Sequence, residues 1–113
     1  MESILTSIKK LLGISEEDSS FDIDIIIHIN TVLFRLRQMG VGSTTPFSIT
    51  SDEQTWVDFL GESGEFDAVK TYVYCKVRLV FDPPQSSSAI KALEETAKEC
   101  EFCLNVEAEG GED

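Results

Sequence analysis

The chain has 113 residues, which is enough for one domain with a modest core and too few for two. Apolar residues make up 42% and charged residues 27%, a balance that excludes an intrinsically disordered chain. Nine Lys and Arg against 21 Asp and Glu leave a net charge of -12, which excludes tight nonspecific binding to a phosphate backbone. The N-terminal stretch MESILTSIKKLLGI has no long apolar core followed by a small-residue cleavage site, so it does not read as a signal peptide. Unbroken apolar runs such as Ile25 to Ile27 are far short of the roughly 20 residues a membrane span needs, and a soluble cytoplasmic protein without membrane contact is expected. Three cysteines without an export signal point to reduced thiols.

In chain order, Ile4, Leu5, Ile8, Leu11 and Leu12 share one helical face, and Gly13 is a natural stop. Ser15 to Ser20 form a polar connector able to supply an N-cap. Phe21, Ile23, Ile25, Ile27 and Ile29 then alternate as a half-buried strand would. Ile25, Ile26, Ile29, Val32, Leu33, Leu36 and Met39 nevertheless keep a helical stripe closed by Gly40, and the length of the run selects a helix from about Asp22 to Met39. The stretch from Gly40 to Asp52, rich in Gly, Ser and Thr, predicts a long loop with a short extended piece or hairpin around Phe47 to Thr50.

Ser51 or Asp52 can cap a short helix carrying Trp56, Val57, Phe59 and Leu60, ended by Gly61, with ESGEF as the next turn. From Glu65 to Phe81 helical spacing returns in Val69, Tyr72, Val73, Lys76, Val77 and Val80, and Asp82, Pro83 and Pro84 stop it. The last helix follows Ser86 to Ser88 with Ala89, Ile90, Leu93, Ala97, Cys100 and Leu104 as its seam. The expected fold is all-α, a small bundle of about five helices over residues 1–106. Residues 107–113, EAEGGED, read as an acidic disordered tail.

The succession LLGI (Leu11 to Ile14), FDIDIIIHIN (Phe21 to Asn30), LRQMGVG (Leu36 to Gly42), PFSI (Pro46 to Ile49), W..FL (Trp56 to Leu60) and YVYCKVRLVFDPP (Tyr72 to Pro84) resembles the head-to-tail connector, or adaptor, proteins of long-tailed phages and prophages of Gram-positive bacteria. Its most specific part is the K-V-R-L-x-F-D-P-P ending from Lys76 to Pro84. Where such proteins carry a W-R or acid-Arg pair near the end of the last helix, this chain reads ECEFCLN. The resemblance implies a helical subunit of a virion ring, a dodecamer, assembled in the host cytoplasm and seated at the head-tail interface below the portal protein. Such a ring extends the DNA channel, through which phage DNA passes without specific binding, and receives a stopper or other head-tail joining protein. It implies no enzyme activity and no cofactor.

The residues themselves leave several readings open. Cys100 and Cys103 form a C-x-x-C, but they sit near a helix C-terminus beside Glu99 and Glu101, where dipole and charge disfavour a thiolate. A zinc site would need Cys75 and His28 as well, each in its own helix, so packed thiols and no metal are expected. His28 has no nucleophile motif near it, and no Gly-rich phosphate loop is present. The cations Arg35, Arg37, Lys70, Lys76 and Arg78 gather on the two central helices, either paired within the chain or meeting acids of a neighbouring subunit. Val41, Phe47 and Ile49 in the long loop are candidates for docking to the portal or a neighbour, with Phe47 and Ile49 alternating as an added strand would. Trp56, Tyr72, Asp82, Pro83 and Pro84 are assigned structural roles. Outside the connector class, strong negative charge also suits a small DNA-mimic inhibitor of a DNA-binding enzyme.

Overall fold

A computed structural model describes residues 2–61 and 66–110, with side chains through residue 106. The helices are α1 (Ile4–Leu12), α2 (Asp22–Gln38), α3 (Trp56–Leu60), α4 (Phe66–Phe81) and α5 (Ser87–Gly110). The bundle is all-α as expected. The only β pairing among the described residues is a single antiparallel bridge between Ser3 and Thr55. The stretch Phe47 to Thr50 is irregular backbone and forms no hairpin.

Each helix boundary has a local cause. The Ser3 hydroxyl accepts from the Thr6 N–H at 2.9 Å and starts α1. At the other end Gly13 takes φ 82°, so its own N–H and that of Ile14 reach back to the Lys10 and Lys9 carbonyls. The polar connector supplies no side-chain cap to α2, whose first turn instead carries Asp22 and Asp24 against the positive helix end. The expected caps of α3, Ser51 and Asp52, are replaced by Thr55 and Asp58, which form a reciprocal capping box. Ser51 lies four residues too early and closes a turn of its own by accepting from the Glu53 N–H. Ser86 caps α5 by accepting from the Ala89 N–H at 3.0 Å, just after Asp82, Pro83 and Pro84 end α4.

α4 is the central helix and packs against α1, α2 and α5, most extensively against α5. Its short connection to α5 makes the two antiparallel. Val69, Tyr72, Val73, Cys75 and Val77 of α4 face Ile4, Leu5 and Ile8 of α1, Ile25, Ile29, Val32, Leu33 and Leu36 of α2, and Ala97 and Leu104 of α5 in one core. The expected α4 stripe is wrong at its end. Val80 is 63% exposed, because it opens into a groove between the start of α2 and the end of α4, and the buried face includes Cys75 instead. The ESGEF turn begins at Glu62 and falls largely outside the described residues. α5 carries its backbone to Gly110, while residues 111–113 of the acidic segment lie outside the described residues.

The connection between α1 and α2 is held by an unexpected buried lysine. Lys9 is 3% exposed and donates to the carbonyls of Glu16 at 3.2 Å and Asp18 at 2.8 Å. Asp22 Oδ1 lies 2.8 Å from the same ammonium outside hydrogen-bond geometry, an ionic contact that balances the buried charge.

Candidate interaction surfaces

The long loop is a packed segment of the fold. Asn30 of α2 clamps Ile49 from both sides, its Nδ2 donating to the Ile49 carbonyl at 3.0 Å and its Oδ1 accepting from the Ile49 N–H at 2.7 Å. Arg37 Nε donates to the Ser43 carbonyl at 3.2 Å. Gly42 sits at φ 87° directly over the Phe59 ring, where a Cβ would collide with ring carbons. Phe47 packs on that ring too, with centroids 5.2 Å apart. Trp56 Nε1 donates to the Ser7 hydroxyl at 2.7 Å and ties the end of the loop to α1.

This geometry corrects the expected behaviour of the loop. Ile49 is 1% exposed, so its side chain belongs to the core, and both backbone groups that an added strand would need are already used. Phe47 and Val41 are half-buried against the same core. Between Val41 and Thr50 the loop presents outward Thr44, Thr45, Pro46, Ser48 and Thr50.

Most of the cations have partners inside the chain. Arg35 Nη2 meets Glu101 Oε1 at 2.9 Å, and the Tyr72 hydroxyl donates to Glu101 Oε2 at 2.8 Å, joining α2, α4 and α5. The Tyr72 hydrogen bond and the Arg35 charge hold the Glu101 carboxyl below the usual range, and burial pushes the Tyr72 phenol up. Lys70 reaches Glu2 at 2.9 Å, and Arg78 Nη1 donates to the Tyr74 hydroxyl at 2.8 Å. Lys76 lines a shallow hollow between α4 and α5 with Leu79, Glu94 and Lys98.

The four donors of the zinc reading are not brought together. Cys75 is buried, Cys100 half-buried and Cys103 exposed, while His28 sits against Phe81 at the far end of α4. Burial raises the Cys75 and Cys100 thiols, with neighbouring thiols adding to the effect, so neither is poised as a thiolate.

The surface shows what the helical stripe left out. Ile23, Ile27 and Phe34 on the outer face of α2 are 75%, 57% and 55% exposed, at spacings of four and seven. On α5, Phe102 and Val106 are also exposed, one turn apart. At the other end of the bundle, Ile14, Phe21, Val80 and Phe81 line a groove of about 520 Å3 whose polar members are Asp24, His28 and Asp82. The Phe21 and Phe81 rings of its lining meet edge to face at 5.6 Å. These exposed apolar positions were missed by tracing only the buried stripe. The signal was the apolar residues lying off it, because in a helix the alternation of Ile23, Ile25, Ile27 and Ile29 puts apolar side chains on two sides.

Such an arrangement suits a protein whose surface is completed by others. A model of the family described as phage connector protein matches residues 4–111, nearly the whole chain. The chain belongs to the phage connector protein family. No curated protein and no solved structure matches it. As a connector it is a phage head-tail component that works by interacting with other phage head and tail proteins. None of its described helices is long and apolar enough to cross a membrane.

Proposed function

We propose that this connector is a non-enzymatic virion subunit that closes into a dodecameric ring below the portal, extends the DNA channel and offers a docking site to the stopper or tail. The observation that carries the reading is the exposed α2 stripe of Ile23, Ile27 and Phe34, an apolar face on an otherwise strongly acidic chain. A solitary domain gains nothing from it, whereas an assembly face of about 800 Å2 per partner requires a desolvated apolar centre. We assign this stripe to docking with the portal.

Arg35, half-exposed beside Glu101, and Lys76 in its open hollow would meet acids of a neighbouring copy in the ring. Arg37 and Arg78 are spent on the loop carbonyl and Tyr74 and serve the fold first. Excess carboxylates on the channel wall would repel DNA and let it slide. The DNA-mimic alternative demands a face tiled with acids, and the Ile and Phe stripe on α2 does not support it.

The deciding experiment is to mix the protein with a portal protein from the same phage genome and image the complex by electron microscopy. A ring seated on the portal is expected from the wild-type chain. Ile27→Glu with Phe34→Glu should stay folded and monomeric beside the portal. Normal seating of that variant would sink the assignment of the α2 face, and a wild-type chain that never joins the portal would sink the ring.

A further inference from the structure

The groove between the start of α2 and the end of α4 joins two kinds of wall. Phe21, Val80 and Phe81 give it apolar and aromatic surface that stays open to solvent. Asp24 and Asp82 belong to the same lining, and no lysine or arginine does. Among the described residues neither carboxylate has an ion-pair or side-chain hydrogen-bond partner, unlike Asp22, which faces Lys9, and Glu101, which Arg35 and Tyr72 share. Arg78, one turn before Asp82, gives its Nη1 to the Tyr74 hydroxyl, and its charge reaches Asp82 without an ion pair.

Aromatic rings beside unpaired carboxylates are the surroundings that suit a cation on an apolar stem. The stem packs along the rings, the ring faces attract the charge, and the carboxylates accept its hydrogens. Arginine matches both walls, because its planar head stacks on a ring and forks onto a carboxylate. At about 520 Å3 the groove also has room for apolar neighbours of that arginine. A second copy of this chain does not supply such a segment. Lys91 and Lys98 stand one turn from Glu94 and Glu95, and Lys10 and Lys70 both face Glu2, in a chain of net charge -12.

We propose that this groove receives an arginine-bearing apolar segment of the portal, with Asp24 and Asp82 holding the guanidinium and Phe21, Val80 and Phe81 covering the apolar part. Asp24 and His28 of the groove lie on α2 beside Ile23 and Ile27, so the groove borders the face already assigned to the portal. The inference rests on that reading for the source of the segment and on the groove alone for its chemistry. The apolar stripe supplies contact area, and the two carboxylates fix which basic segment docks and in which orientation.

The test titrates the isotope-labelled full chain with a short peptide of alternating leucine and arginine, followed by amide NMR. Shifts are expected at Phe21, Asp24, His28 and Val80 to Asp82. Peptides with glutamate in place of arginine, or serine in place of leucine, should leave those signals unmoved. Asp24→Asn with Asp82→Asn, both at exposed positions, should weaken the peptide about tenfold at an unchanged melting temperature. Glu95→Gln with Glu99→Gln removes the same charge from the outside of α5 and should bind as the wild type does. Equal weakening by both pairs, or shifts spread over α5, would mean attraction to net charge alone and overturn the site. With the portal itself, the Asp24→Asn and Asp82→Asn chain should need a higher concentration to seat. Seating at the wild-type concentration would overturn the portal as the source of the segment. A wild-type chain that binds the peptide in the groove yet never joins the portal would overturn the ring and leave the chemistry of the groove standing.

Discussion

The loop between α2 and α3 and the outer face of α2 reverse the roles their compositions suggest. The loop, rich in Gly, Ser and Thr, is fastened by Asn30, Arg37, Phe59 and Ser7, and it buries Ile49 completely. The helix, built of Ile, Leu and Phe, leaves Ile23, Ile27 and Phe34 in solvent. Hydrogen-bond satisfaction explains the first, since a loop that runs over the core has to place its backbone polar groups, and one asparagine side chain serves two of them at once. Geometry explains the second. A helix turns only one face to its core, so apolar residues on a second face are left for another partner.

The sharpest way to break this comparison is to trim the loop. Phe47→Ala with Ile49→Ala should cost about 3–5 kcal/mol, because Ile49 alone leaves a cavity in the core, and a large fall in melting temperature is expected. A loop that acted only in docking would leave the melting curve unchanged. Next in size, Asn30→Ala should cost about 1–3 kcal/mol by leaving the Ile49 N–H and carbonyl without partners, and hydrogen exchange should speed up at Ile49 before the helices open. Gly42→Ala should cost about 1–3 kcal/mol, since it strains a positive φ and collides with the Phe59 ring, and denaturant titration would measure it.

A smaller effect is expected where the three helices are joined by charge. Tyr72→Phe should cost about 1–2 kcal/mol at neutral pH by removing the hydrogen bond to Glu101. Glu101 has its folded pKa depressed by Tyr72 and Arg35, so its contribution is complete above the unfolded value of about 4.3 and disappears as pH falls through the lower folded value. The stability gap between wild type and Tyr72→Phe should therefore narrow in acid. A gap that stayed constant from neutral pH into strong acid would show that the carboxylate is not the partner that matters. The smallest change in stability belongs to the α2 face, where Ile27→Gln with Phe34→Gln should shift unfolding by about 0.5 kcal/mol or less while abolishing attachment to the portal.

Much of the fold could be read directly. The stripe Ile25, Ile29, Val32, Leu33 and Leu36 is buried as its spacing requires, Gly13 ends α1 in the left-handed conformation, and Asp82 to Pro84 end α4. Two expectations failed, one for a local reason and one for a tertiary reason. Ser51 and Asp52 were plausible caps by residue type, but the cap fell to Thr55 because Asp58 completes a box with it. Val80 continues the α4 spacing, yet no helix lies over it.

Of the candidate surfaces, Arg35 and Lys76 remain available to a neighbour, and Ile49 proved to be core. The groove at Phe21, Val80 and Phe81 has no local signature, because its walls come from residues about 60 positions apart.

The order of helices, the all-α class and the connector family were therefore present in the sequence alone, since periodicity, capping residues and motif order are local properties of the chain. Only the tertiary structure decided which apolar side chains are core and which are surface. Burial depends on whether another element covers a helix face, and no spacing within a single helix contains that information.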